Sequence, residues 1–311
     1  MWRNNSRYWA SYNLGPQDSY TREQLLKVLV TGAKGMLGGD LCPIFSEKHQ
    51  VVATDLEEMD VRDPQAIWDT FEQVKPDLVV HLAAMTNVDA CQEMKDQAFL
   101  ANAIGAKNVA LACRHFGPCM VYLSTGSIFD GSKSEPYTEF DIPHPQNEYS
   151  KAKYQGELFV RDVLMEYYIV RAGWMFGGGH RDKKFVSKII SLATRGRRLQ
   201  VVDDKFGSPT YTRDLARGIL KLVETGWYGT YHMANVGCCS RFEYALKVVD
   251  LVGIPNCPME PVTSDAFPLP APRPRMEAIR NYVLQLMGKD WMRSWEEALT
   301  DYVQNRLLRE G

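Results

Sequence analysis

The stretch Val28-Leu29-Val30-Thr31-Gly32-Ala33-Lys34-Gly35-Met36-Leu37-Gly38 decides the fold. Its first four residues read as a buried strand, and the glycines that follow, three residues apart, turn that strand into a helix. Positions without side chains let a backbone approach a pyrophosphate, and the start of a helix offers it unpaired amides with a partial positive charge. Spacing alone is weak evidence, because 23 of the 311 residues are glycine and short motifs recur by chance. Context strengthens it: a second strand, Val51 to Thr54, ends at Asp55, where a carboxylate can accept hydrogen bonds from the ribose hydroxyls of an adenosine. Gly32, Lys34, Gly35, Met36, Leu37, Gly38 and Asp55 are therefore the expected dinucleotide contacts. Asp60 and Val61, in the next loop, either flank an adenine ring or serve as a turn carboxylate and a core valine.

Further strand-length apolar runs follow at Leu78 to Leu82, Met120 to Ser124, Tyr168 to Arg171 and Tyr231 to Ala234. Segments of helical period such as Pro64 to Val74 and Gln97 to His115 separate them, so the order is βαβαβ and the sheet parallel, with helices on both faces. The expected class is α/β, a Rossmann-type doubly wound parallel sheet over residues 25–171. A smaller C-terminal substrate-binding lobe is expected over 172–311, with segments near 208–236 returning to the first domain. Prolines crowd between Pro255 and Pro274, which reads as an ordered loop crossing a cleft. Small residues at the end of the third strand, Ala83 and Ala84 after His81-Leu82, suit a crevice where a dinucleotide passes over the sheet, while Asn102 reads as an internal tie.

Composition excludes several classes. Hydrophobic residues make up 45% and charged residues 24%, as in ordinary globular chains. Lys and Arg number 36 against 38 Asp and Glu, which leaves no basic surplus for a nucleic-acid partner. Seven scattered cysteines make no disulfide framework, and Cys238-Cys239 lacks zinc-site spacing, so a reduced cytoplasmic protein with no metal is expected. No run reaches the ~18 apolar residues of a membrane helix, and residues 1–24 read as an N-terminal extension.

Tyr149 and Lys153 stand four apart in Glu148-Tyr149-Ser150-Lys151-Ala152-Lys153, which puts both on one helix face. An ammonium there, with the positive charge of an oxidised nicotinamide, would lower the phenol pKa and make it a proton donor and acceptor. Ser124-Thr125 ends the fourth strand just upstream, where a hydroxyl can bond the same substrate oxygen.

The glycine turn, Ser124-Thr125 and Tyr149-x-x-x-Lys153, in this order, resemble the extended short-chain dehydrogenase/reductase superfamily. Ile128-Phe129-Asp130-Gly131, Pro136-Tyr137-Thr138-Glu139, Gly207-Ser208-Pro209-Thr210 with Asp214-Leu215-Ala216, and Arg273-Pro274 are similar to segments of the dTDP-4-dehydrorhamnose reductase family. The resemblance implies NADP(H) or NAD(H) as cofactor and Thr125, Tyr149 and Lys153 as the catalytic trio. It also implies Thr86, Val88, Ser127 and Trp174 beside the sugar, and Arg273 at the diphosphate. The expected activity is reduction of a nucleotide-linked 4-keto-6-deoxysugar, with sugar-nucleotide epimerisation and a cofactor-binding regulatory subunit, like methionine adenosyltransferase β, as alternatives. The expected partner is a nucleotide-diphosphate sugar, and a homodimer is an assembly the family allows. Three departures stand out. Gly126-Ser127 replaces the family's Asp-Tyr, Lys205 stands where glutamine is frequent, and Glu277 stands where a small or polar residue is usual. The first predicts weaker use of dTDP-4-dehydrorhamnose, or preference for a close relative.

Overall fold

Alternation along the first strand builds the molecule: Val28 and Val30 face one way, Leu29 the other, and all three are fully buried. The computed structural model describes residues 25–307 except 197, 255 and 256, so the expected extension at 1–24 lies outside the described residues. Six strands form one parallel sheet: β1 (Lys27–Thr31), β2 (Gln50–Thr54), β3 (Leu78–His81), β4 (Cys119–Thr125), β5 (Tyr167–Ala172) and β6 (Gly229–His232). Their order is β6-β5-β4-β3-β1-β2, so the strand sequence reverses direction at β1. Thr31 pairs with His81 across β1 and β3, and Thr125 with Ala172 across β4 and β5. The reversal between β1 and β3 leaves a crevice beyond the strands' carboxyl ends.

Helices cover both faces. On one, α1 (Met36–Ser46) and a later helix, Thr212–Thr225, set Leu37, Leu41, Leu215 and Ile219 against Val28, Val30, Val80 and Val170. On the other, α2 (Pro64–Val74), α3 (Gly105–Phe116) and α4 (Glu148–Val163) set Ile67, Phe71, Val109 and Val160 against Leu29, Val79, Met120 and Ile169. The sequence marks these starts locally: Asp63 accepts from the Gln65 amide with Pro64 at the first helical position of α2.

A second core gathers Phe176, Tyr211, Tyr244, Val248, Trp295 and Tyr302. It packs between α5 (Phe185–Ala193), α7 (Arg241–Leu251) and α8 (Trp295–Tyr302), and the helix Thr212–Thr225 of the first core takes the label α6. Buried Asp40 in α1 ties the two cores, accepting from the Gly178 amide, from Thr212 and from Arg306. The proline-rich segment crosses the carboxyl edge of the sheet, where Asn147 donates to the Pro272 carbonyl (2.9 Å) and the Ala271 amide donates to Asp89 (3.2 Å). Among the described residues no helix is long and apolar enough to cross a membrane.

Candidate active site

One cleft of roughly 1690 Å³ runs over the carboxyl edge of the sheet, larger than the ~300–1,000 Å³ typical of a single-ligand pocket. Gly32, Lys34, Gly35, Met36, Leu37, Gly38, Asp55, Asp60, Val61, Ala83 and Ala84 line one end. Thr86, Val88, Thr125, Ser127, Tyr149, Lys153, Trp174 and Arg273 line the remainder. The fold thus brings every expected site residue to one surface.

The glycine turn fits a dinucleotide. Gly32 has φ +71°, and a Cβ there would stand 2.7 Å from the Ala83 nitrogen; a Cβ on Gly38 would stand 2.5 Å from the Ala33 carbonyl oxygen. Gly35 begins α1 with no side-chain cap and no acidic residue in the first turn, so no side chain competes for the amides an anion would use. Asp55 shapes the turn by accepting from the Lys34 amide (2.8 Å). The Lys34 ammonium lies 2.9 Å from Glu57 and 2.8 Å from Glu58, whose hydrogen bonds push its pKa up. Asp60 takes a bidentate grip from Arg62 (2.7–3.0 Å), which lowers its pKa. Val61 is buried in the core, with Asn108 donating to its carbonyl (3.1 Å). Asn102 is an internal tie, as the sequence reading expects. It bonds both the amide (2.7 Å) and the carbonyl (3.0 Å) of Met85, beside Thr86, from a π-turn at Leu100–Ile104.

Tyr149 and Lys153 of the expected trio ride on α4, whose first turn is capped by Asn147 accepting from Ser150. Tyr149 is half-buried and Lys153 only 4% exposed. The lysine Nζ sits 4.1 Å from the Tyr122 ring centroid, a cation–π contact that holds it beneath the site. Burial drives Lys153 down to about 7. Burial also drives Tyr149 up to about 12, against a Thr125 hydrogen bond that favours the phenolate. The chain's own groups therefore do not lower the phenol pKa. At neutral pH they hold the proton on Tyr149.

The sign of the lysine effect is testable. Between pH 7 and its ordinary 10.5 the unfolded chain keeps this proton and the folded chain does not, so folding stability rises with pH across that window. Below it, a charged lysine is held in a dry site. Lys153→Met should therefore stabilise the protein at pH 6, on the order of 1–3 kcal/mol and a few degrees in Tm, with the gap closing toward pH 10. Thermal unfolding of both proteins across pH 6–10 reads this, and a gap that does not close contradicts it.

Behind the trio lies a buried ion pair. Glu157, one turn beyond Lys153 and fully buried, accepts from Arg171 at both oxygens (2.9 and 2.7 Å) and from Ser124 (2.5 Å). It fastens α4 to β5 and to the end of β4, so Thr125 and Tyr149 share one rigid frame.

On the sugar side, Trp174 follows β5 with φ +36°, a left-handed conformation costly for a bulky residue. Its Nε1 donates to Glu277 (2.9 Å), and Ser127 donates to the other oxygen of the same carboxylate (2.6 Å). Gly207 packs so closely on the indole that a Cβ there would stand 2.1 Å from it. The guanidinium of Arg241 lies 3.4 Å from its ring centroid. Two of the three departures from the family pattern, Ser127 and Glu277, are thus bonded to each other. Sequence reasoning missed Arg241 altogether; its only local signal is the Ser240–Glu243 capping box that starts α7. Arg273, expected at a diphosphate, is engaged by Asp89 (2.9 Å) and the Ala271 carbonyl (2.7 Å).

Comparison with known proteins gives the family. The family model described as RmlD substrate binding domain covers residues 26–308. The chain is 36% identical over 283 residues to the spore coat polysaccharide biosynthesis protein SpsK of Bacillus subtilis, covering 91% of this chain and 98% of that one. It is 35% identical over 279 residues to a dTDP-4-dehydrorhamnose reductase of Mycobacterium tuberculosis, covering 88% and 91%. Among solved structures, a dTDP-4-dehydrorhamnose reductase of Bacillus anthracis in complex with NADP superposes with TM-score 0.86 at 36% identity, over 90% of this chain and 99% of that one.

Proposed function

The chain belongs to the family of the RmlD substrate binding domain, and from that premise we propose that it is an NAD(P)H-dependent reductase of a nucleotide-linked 4-keto-6-deoxyhexose. The observation that carries the reading is the convergence of Thr125, Tyr149, Lys153 and Trp174 in one cleft with the glycine turn. When bound, the nicotinamide supplies hydride to the carbonyl carbon. Tyr149, held protonated by its burial, donates the proton to the ketone oxygen, and the Thr125 hydroxyl steadies both that oxygen and the phenolate left behind. Lys153 holds the nicotinamide ribose. Trp174, fixed by Glu277 and covered by Arg241, offers the sugar a preset wall. Ser127 presents a small hydroxyl already spent on Glu277, which widens the sugar site and supports a preference for a relative of dTDP-4-dehydrorhamnose. The substrate and both cofactors are cytoplasmic metabolites, so we place the reaction in the cytoplasm, with a homodimer as the assembly to test by sedimentation.

Cofactor preference follows from the adenosine end. Asp55, Glu57 and Glu58 gather carboxylates there, and the last two neutralise Lys34, the cation a 2′-phosphate would use. NADH should bind at least as well as NADPH. The variant Glu57→Gln/Glu58→Gln should tighten NADPH by about threefold to tenfold and leave NADH nearly unchanged, the modest size being that of exposed charges. Fluorescence titration with both cofactors measures it. The reading as a whole is tested by following NADH and NADPH oxidation with dTDP-, UDP- and GDP-linked 4-keto sugars beside free sugars and simple ketones. Equal turnover of free and nucleotide-linked ketones would overturn the substrate class.

A further inference from the structure

We propose that Arg241, rather than Arg273, is the chief phosphate receptor of the substrate pocket, its guanidinium taking the diphosphate oxygens of the nucleotide-linked sugar beside Trp174. The proposal rests on the reductase reading for its ligand, but on its own observations for the residue.

Arg241 opens α7, where its amide donates to the Lys205 carbonyl (3.2 Å) and Ser240 caps the helix, so its backbone is anchored. Its side chain reaches into the cleft with the guanidinium carbon over two aromatic rings, 3.4 Å from the centroid of Trp174 and 4.9 Å from that of Phe185. Among the described residues no acceptor hydrogen-bonds this guanidinium; Glu277 acts on it only through space, its oxygens being spent on Ser127 and Trp174. A half-buried guanidinium at the cleft wall with no protein acceptor is free to give its paired N–H groups to an anion supplying two oxygens. Stacking fixes the plane of the fork beforehand, so little freedom is lost when it closes on phosphate.

Two neighbouring cations are less available. Arg273 spends its fork on Asp89 and the Ala271 carbonyl, and the Lys205 ammonium is donated to the Arg273 carbonyl (2.9 Å). Arg181 stands against Gly39 of α1, at the dinucleotide end. Arg241 lies against Trp174, so the phosphate it binds is the one next to the sugar.

The test is calorimetric titration of the NADP-saturated protein with dTDP, UDP and GDP, for the wild type and for Arg241→Gln, Arg241→Lys and Arg273→Gln. Loss of a charge-assisted bidentate contact predicts dTDP binding weakened by about 10–100-fold in Arg241→Gln. Arg241→Lys should fall between that variant and the wild type, because it keeps the charge and loses the fork. Arg273→Gln should lose less than Arg241→Gln. NADP affinity should be unchanged throughout, which also reports folding, and added salt should weaken dTDP binding more in the wild type than in Arg241→Gln. Wild-type affinity in Arg241→Gln, a larger loss in Arg273→Gln, or no binding of any of the three nucleotides by the wild type would each overturn the proposal. If Arg241→Gln fails to bind NADP, Arg241→Lys decides: a loss of about threefold or more supports the proposal, and none overturns it. A protein that binds a nucleotide through Arg241 yet reduces no nucleotide-linked ketone would defeat the reductase reading alone. Reductase activity with Arg241 immaterial would defeat this proposal alone.

Discussion

Turnover in the Tyr149→Phe variant should fall by about 10²–10⁴, the scale of general acid catalysis, while NADPH should bind nearly as in the wild type. The substitution removes one hydroxyl from a half-buried ring and leaves α4, capped at Asn147, undisturbed. Only the proton that the ketone oxygen must receive is lost. Thr125 can still donate to that oxygen but has no proton to give away at neutral pH, so the remaining activity reports polarisation and positioning alone. Single-turnover NADPH oxidation separates the chemical step from product release, and cofactor titration checks the site. Wild-type turnover in this variant, on a substrate that the native protein reduces, would mean that the proton comes from elsewhere.

Glu157→Ala should cost about 3–5 kcal/mol of folding stability, the scale for stripping one partner from a buried ion pair. Arg171 is 1% exposed and sends two bonds to Glu157; without them its charge stays in the core with His232 as the remaining neighbour. Burial and Arg171 itself push His232 down to about 3, so its neutral imidazole can accept from the guanidinium at Nε2 but brings no negative charge to balance it. The double variant Glu157→Leu with Arg171→Met should recover most of the loss, since it removes both charges together and keeps the volume. Its activity should still fall, because Ser124 loses its acceptor next to Thr125 and the tie between β4, β5 and α4 is gone. Denaturant unfolding of the wild type and the two variants measures the first effect and kcat the second. A Glu157→Ala protein as stable as the wild type would show that Arg171 finds water or another acceptor.

Much of the fold was legible because its signals are local. Five of the six strands lie within a residue of the apolar runs, whereas β6, Gly229–His232, begins two residues ahead of the run read at Tyr231 to Ala234; the inner strands β1, β3, β4 and β5 are mostly buried, and the edge strand β2 is largely open. Helices α2 and α4 begin at a proline and at an asparagine cap that a short window of sequence displays. The tyrosine and lysine share a face of α4 because helix geometry gives residues four apart no other choice. Charge was the less legible part: Glu57 and Glu58 hold the Lys34 ammonium, and burial pushes Tyr149 up and Lys153 down. Desolvation depends on what surrounds a group from every side, and no stretch of sequence contains that.

The sequence by itself determined the strand–glycine turn–helix, the parallel order of the sheet and the shared helix face of Tyr149 and Lys153, since each depends on residues a few positions apart or on the period of an element. Tertiary structure decided the sugar side. Ser127 and Trp174 reach Glu277 across 150 and 103 residues of chain, and Arg241 joins them from the start of α7, so the pocket exists only once the crossing segment is laid over the sheet. A side chain's partners at that separation are set by how two cores pack against each other, whereas its neighbours within one turn are set by the backbone, and only the latter are written in order along the chain.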